Sequence, residues 1–163
     1  MRLHVPVHLR WGDLDAYNHV NNVELMRLLE EARVRAFWRS DEDGGDEDGG
    51  GLDRGMALIE AEAGSDTVTL IARHEVVYVA PVAYRRAPLD VQLWISHLGG
   101  ASLDVCYDVY GTGQTEDDLY ARAVSTIVLV DASTGRPRRI TAEERAAWSA
   151  YLGEPLELSR KRD

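Results

Sequence analysis

Within residues 11–33, the stretch from Asp13 to Asn22 gathers the side chains that can act on a carbonyl: two carboxylates, Asp13 and Asp15, one imidazole, His19, and three carboxamides, Asn18, Asn21 and Asn22. They occupy a short polar turn that opens directly into an apolar helix. The first amides of a helix have no intrahelical partner, and the macrodipole places about half a positive charge there. Such a terminus can hold an anion or polarise a carbonyl oxygen. A carboxylate just upstream can then attack the polarised carbon, or act on a water beside it. The same residue types also serve plainer ends. Asn21 or Asn22 can simply cap the helix, and Asp13 or Asp15 can simply shape the turn.

The order of these residues adds information that their types do not. Asp13-x-Asp15-x-x-x-His19-Val20-Asn21-Asn22, followed by a helix with Glu31, Ala32 and Arg33, resembles the signature of the hotdog-fold acyl-CoA thioesterases of the 4-hydroxybenzoyl-CoA thioesterase family. Tyr78-Val79-Ala80-Pro81-Val82-Ala83-Tyr84 is similar to that family's motif at the end of its second strand. Ala121 to Asp131, with Thr134-Gly135-Arg136-Pro137-Arg138, is similar to its last long strand and exit. The likeness spans roughly residues 3–148. The first motif is specific for the fold and fairly specific for thioester hydrolysis; the later ones mark the fold alone.

The resemblance implies an α+β hotdog domain, a curled antiparallel sheet wrapped around one long helix. It implies hydrolysis of an acyl-CoA, or of an acyl-ACP, without a cofactor or metal. Asp15 falls on the catalytic carboxylate, acting either as nucleophile through an acyl-enzyme anhydride or as general base toward water. The backbone amide of Asn22 would polarise the thioester carbonyl. His19, with Asn18, would orient water or the thioester, or else tie the turn to the backbone; Asp13 would hold the turn. Tyr17, Asn18, Asn21, Glu31, Arg85 and Arg86 complete the expected substrate contacts, and Arg136, Arg138 and Arg139 are further cations for the CoA phosphates. Leu25 stands where relatives often carry Tyr, which would widen or dry the acyl pocket. The alternative reading is a hotdog module that binds acyl-CoA or acyl-ACP without turnover; a hotdog dehydratase or hydratase ranks below it. A homodimer or tetramer is expected, with Tyr78, Tyr84 and Trp94 as candidate interface anchors.

The elements that must position this site are legible as patterns. Residues 3–11 alternate, with Leu3, Val5, Val7, Leu9 and Trp11 on one face, so they read as a half-buried strand with Pro6 favouring an edge. His4 and His8 on the other face lie about 13 Å apart, too far to share a metal. Asn22 to Trp38 reads as a helix apolar around much of its cylinder, which predicts neighbours on several sides. Glu31 with Arg35 is an i, i+4 pair or a polar group facing the acyl channel. Met56 to Ala63 is ambiguous between a short helix and a strand, with a strand paired across the Gly64-Ser65-Asp66 turn preferred.

Four strands follow, over residues 67–79, 89–98, 102–110 and 119–131, with Gly99-Gly100 turning between the middle pair. Thr141-x-x-Glu144 is a capping box opening a helix to about Tyr151. The domain is expected over residues 1–152, with 153–163 as a tail.

Bulk properties bound the rest. The 163 residues suit one domain with a sizeable core, at 45% hydrophobic and 28% charged. Six acidic residues in the Gly-rich segment 40–51 make up more than half of the net charge of −10. Their spacing does not fit an EF-hand, and the segment is expected to be a loop. No basic stripe interleaved with aromatics points to nucleic acid. Neither a membrane-spanning run nor a signal-peptide pattern is evident, and Cys106 has no partner for an internal disulfide. A cytoplasmic location is the expectation. Serine-elbow, Walker, His-Glu-x-x-His and Cys-x-x-Cys motifs are all missing from the sequence.

Overall fold

Alternation of apolar and polar residues builds the sheet. The computed structural model describes residues 1–39, 55–60, 64–111, 113 and 115–158. Five antiparallel strands, β1 (Leu3–Val7), β2 (Thr67–Tyr78), β3 (Leu89–Leu98), β4 (Ser102–Tyr110) and β5 (Leu119–Asp131), stand in the order β1-β3-β4-β5-β2. Along β5 every second residue from Leu119 to Leu129 turns inward and is buried. That period of two is what one packed face demands. Pro6 sits on β1, an edge strand, where its missing donor leaves no ladder bond open.

Helix α1 (Asn22–Phe37) lies on the inner face of the curled sheet, chiefly against β1 and β3. Leu25, Leu28, Leu29, Ala32, Ala36 and Phe37 are buried, whereas Val23 is exposed and Met26 and Val34 are half-buried. The helix therefore buries one broad face, where the sequence suggested burial around much of the cylinder. Helix α2 (Ala142–Ser149) opens on the expected capping box. Thr141 Oγ1 accepts from Glu144 N at 3.1 Å, and Glu144 Oε2 accepts from Thr141 N at 2.8 Å. Its Trp148 is fully buried, edge-on to Phe37 of α1, with its indole N–H donated to Met56 O at 3.0 Å.

Several sequence expectations need correction. The first strand ends at Val7 rather than running to residue 11, because a 3₁₀ turn over Trp11–Asp13 breaks the alternation. Trp11 consequently leaves the core face; it is 73% exposed and stacks on Tyr84, with ring centroids 4.2 Å apart. Residues 55–60 form neither helix nor paired strand, but a turn followed by one parallel bridge from Ile59 to Trp38. Residues 61–63 and the acidic segment 40–51 lie outside the described residues. Trp94 is buried rather than a surface anchor: Arg2 covers its ring and its N–H donates to Glu154 O at 2.8 Å. The chain after α2 thus packs on the sheet, extending the edge of β3 through the Ile95–Leu152 bridge. Cys106 is a buried core thiol, and burial pushes its pKa up. No helix among the described residues is long and apolar enough to cross a membrane.

Candidate active site

The turn between β1 and α1 is a miniature hairpin. Asp15 N donates to His19 O at 2.8 Å and Asn18 N to Asp15 O at 3.1 Å, while Leu14 bridges Val20. Closing so tight a loop requires one left-handed residue, and Asn18 supplies it at φ 60°. Asn tolerates that region better than most non-glycine residues. Two further contacts dock the hairpin on the chain after β2: His19 bridges Ala83, and Val20 N donates to Val82 O at 2.8 Å.

The two aspartates of the turn have opposite surroundings. Asp13 is fully buried and saturated: its carboxylate accepts from Arg10 N at 2.7 Å, from the Arg10 guanidinium at 3.0 and 3.2 Å, and from Arg27 Nη2 at 2.9 Å. Burial alone would raise its pKa, but these bonds outweigh it and hold the carboxyl below its ordinary value. Asp15 is half-buried, and only Oδ1 is engaged, accepting from Tyr17 N at 2.8 Å and His19 N at 3.1 Å. Among the described residues no hydrogen bond reaches its Oδ2. One oxygen fixes the carboxylate, and the other stays available.

Asp15, His19 and Asn22 come together on the wall of one open cavity of about 360 Å³. Val20 and Leu25 line the same side; Tyr78, Val79, Ala80, Pro81, Val82 and Tyr120 line the other. The imidazole of His19 makes no hydrogen bond to a described residue, so its ring is not what ties the turn down; its backbone does that. Asn21 is the N-cap of α1, its Oδ1 accepting from Val23 N at 2.9 Å. Asn22 is thereby the first helical residue, and no described acceptor takes its N–H. A free amide at a helix N-terminus, beside a carboxylate with a free oxygen, can bind a carbonyl oxygen while the carboxylate acts on the carbon.

The remaining expected residues are distributed unevenly. Tyr17 and Asn18 are exposed at the tip of the turn, and neither lines the cavity. Glu31 pairs with Arg27 at 3.2 Å, not with Arg35, whose guanidinium instead reaches Pro6 O at 2.5 Å. Glu31 belongs to the clamp on Asp13, away from either wall. Neither Arg85 nor Arg86 lines the cavity: Arg85 packs against Gly111, with Nη1 3.5 Å from the hydroxyl of the lining residue Tyr120, and Arg86 is exposed. Arg138 is spent on Glu144, at 2.6 and 2.9 Å, and on Thr67 Oγ1 at 2.7 Å. Its backbone meets Leu129, nine residues and about 30 Å along β5 from Tyr120, so the cations after β5 stand far from this cavity.

Three contributors escaped sequence reasoning. Arg27 binds Asp13 from α1, a role signalled only by the i, i+3 and i, i+4 acids Glu24 and Glu31 around it. Tyr78 and Pro81, quoted as marks of the fold, prove to be cavity wall.

A sequence profile of the thioesterase-like superfamily matches residues 9–149. Among solved structures, a thioesterase from Thermus thermophilus complexed with coenzyme A and Zn is 26% identical, covering 94% of this chain and 96% of its own, with a TM-score of 0.66. A protein from Bacillus stearothermophilus described as a predicted thioesterase is 21% identical over 95% of this chain and 99% of its own, at a TM-score of 0.71. A thioesterase-superfamily protein from Jannaschia sp. CCS1 has 21% identity, 94% and 93% coverage and a TM-score of 0.64. A search of curated proteins finds no match.

Proposed function

The chain belongs to the thioesterase-like superfamily, and from that premise we propose that it hydrolyses an acyl-CoA thioester with Asp15 as the reacting carboxylate, as in the 4-hydroxybenzoyl-CoA thioesterase branch it resembles. The observation carrying this is the split between the two oxygens of Asp15. Oδ1 is held by the amides of Tyr17 and His19, and Oδ2 takes no hydrogen bond from a described residue, beside a cavity that Asn22 and His19 also line.

The thioester carbonyl oxygen takes the free N–H of Asn22. Oδ2 then acts in one of two ways. As a base it removes a proton from water as the water oxygen bonds to the acyl carbon; the tetrahedral intermediate collapses, the C–S bond breaks, and the thiolate leaves to be protonated. As a nucleophile it forms the anhydride directly with loss of the thiolate, and water then hydrolyses it. In both routes one water is consumed, and one carboxylic acid and one CoA thiol are released. His19, on the same cavity wall, holds the water or the thioester in this reading. Arg85, beside the lining residue Tyr120, and the exposed Arg86 suit the phosphates of the CoA carrier; an acyl-ACP would present its phosphopantetheine phosphate to the same side. The coenzyme A bound to the Thermus relative supports a CoA-type substrate.

Assembly follows from the edge of β2. Among the described residues no strand pairs with its outer side, and Val68, Leu70, Tyr78 and Val79 are exposed along and just beyond it. Such an edge is a template for another strand, and two copies pairing there give a closed symmetric dimer. A thiol-release screen over short, long, branched and aromatic acyl-CoAs tests the whole reading. Turnover of at least one, abolished by Asp15→Asn, is expected; no thiol release from any of them would remove the proposal.

A further inference from the structure

Hydrolysis at Asp15 leaves one exposed aromatic pair without a role. The 3₁₀ turn that takes Trp11 off the core face sets it against Tyr84, with ring centroids 4.2 Å apart and planes 13° from parallel. Tyr84 is half-buried and packed on the core, so one ring of the stack is fixed. Trp11 rests one face on Tyr84 and is still 73% exposed, so its other face is open to solvent. Backbone contacts hold both rings to the hairpin of the site. Leu14 N donates to Trp11 O at 3.3 Å, and His19 bridges Ala83, the residue before Tyr84. A flat ring backed by a second one and bare on its far side is preorganised to take a third.

The stack adjoins both the cavity and a cation. Val82, part of the cavity wall, is two residues before Tyr84, about 7 Å along an extended chain. Arg86 is two residues after Tyr84 and exposed, and among the described residues no acceptor pairs with its guanidinium. An open aromatic face beside an unengaged cation matches a ligand that joins a flat base to phosphates.

We propose that the open face of Trp11 stacks the adenine base of the CoA carrier, with Arg86 taking a phosphate beside it, an inference that rests on the acyl-CoA reading above. The flexible pantetheine arm joins a thioester at Asp15 to a base at this distance without full extension. Stacking on an aromatic needs no hydrogen bonds to the base, so a bare ring is enough to hold it. The stack also discriminates between carriers. CoA and an acyl carrier protein share the phosphopantetheine arm, but only CoA has a base to place on Trp11.

Calorimetric titration of the whole chain with free CoA and with 4′-phosphopantetheine tests this. CoA should bind about tenfold tighter or more, the scale of one base stacked on one aromatic side chain. Trp11→Leu, a change at an exposed position, should remove most of that difference by weakening CoA alone; Trp11→Tyr, which keeps a ring, should retain it. A wild-type ratio near one overturns the proposal. So does a CoA affinity that Trp11→Leu leaves intact, an equal weakening of both ligands, or a loss in Trp11→Tyr as complete as in Trp11→Leu. Unchanged CoA affinity with a lowered mass of Trp11→Leu in light scattering would give the open face to a second copy of the chain. Thiol release from acyl-CoAs is read separately. CoA binding that depends on Trp11, without turnover, keeps the stacking site and fails the hydrolysis reading; turnover without Trp11-dependent binding does the reverse.

Discussion

Arg27, on the second turn of α1, holds Asp13 of the preceding turn, with Nη2 2.9 Å from Oδ1. This contact ties the site's scaffold to its helix. Asp13 O also accepts from Asn21 N at 2.8 Å, so one residue fixes both the hairpin and the N-cap. Arg27→Met should leave a buried carboxylate short of a partner and cost about 1.5–3 kcal/mol. Chemical denaturation measures it, and a loss below a few tenths of a kcal/mol would show that Arg10 alone suffices.

Acid should unfold the protein partly through the same carboxylate. The folded-state pKa of Asp13 lies below its ordinary value, so its contribution is present above about pH 4 and is lost as pH falls further. Glu144 is depressed in the same sense: burial opposes its ionisation, but Arg138 and the Thr141 amide outweigh that. Between pH 5 and pH 3 the melting point of wild type should drop faster than that of Glu144→Gln. Parallel curves would count against the Arg138–Glu144 pair as a source of stability.

Asp15→Asn should abolish hydrolysis by orders of magnitude and leave the fold intact. The amide keeps an Oδ1 that can accept from Tyr17 N and His19 N, so the turn survives. It has no oxygen able to attack or to take a proton from water. Thiol release and a melting curve on the same sample are the readout, and wild-type turnover in a stably folded variant would exclude Asp15 from the mechanism.

Asn22 offers a sharper test of the carbonyl site, because its backbone rather than its side chain is proposed to act. Asn22→Ala should be mild. Asn22→Pro deletes the N–H at the one helical position where proline is welcome. The preceding Asn21, at φ −62° and ψ 142°, already has the extended backbone that a following proline requires. The proline variant should therefore stay folded and lose about 10²–10³ in kcat. Equal activity in the two variants would place the carbonyl elsewhere.

Light scattering at micromolar concentration should give at least twice the 18.2 kDa monomer mass. Leu70→Lys puts a charge on the exposed, unpaired edge of β2 and should shift the mass toward the monomer. An unchanged dimer in that variant would move the interface off this edge.

The sequence by itself determined most elements and much of the hairpin site. The strands at 89–98, 102–110 and 119–131, the start of α1 at Asn22 and the Thr141–Glu144 box all match the structure. Each is written in local periodicity or in a cap four residues long, and needs no knowledge of distant chain. The Asp13-to-Asn22 stretch was legible for the same reason, since a ten-residue segment brings its own residues together. Tertiary structure decided what depends on partners far away in sequence. Asp13 and Asp15 are the same residue type two positions apart. Only the packing of Arg10 and Arg27 around one of them makes it structural and leaves the other an open oxygen. The cavity wall from Tyr78 to Val82 and Tyr120, the burial of Trp94 under the chain after α2, and the stacking of Trp11 on Tyr84 join residues dozens of positions apart. Their proximity is set by the strand order β1-β3-β4-β5-β2, which places β2 beside β5 and away from the strand that follows it in sequence. Periodicity reports which face of a strand is buried; it carries no information about which strand lies next to it.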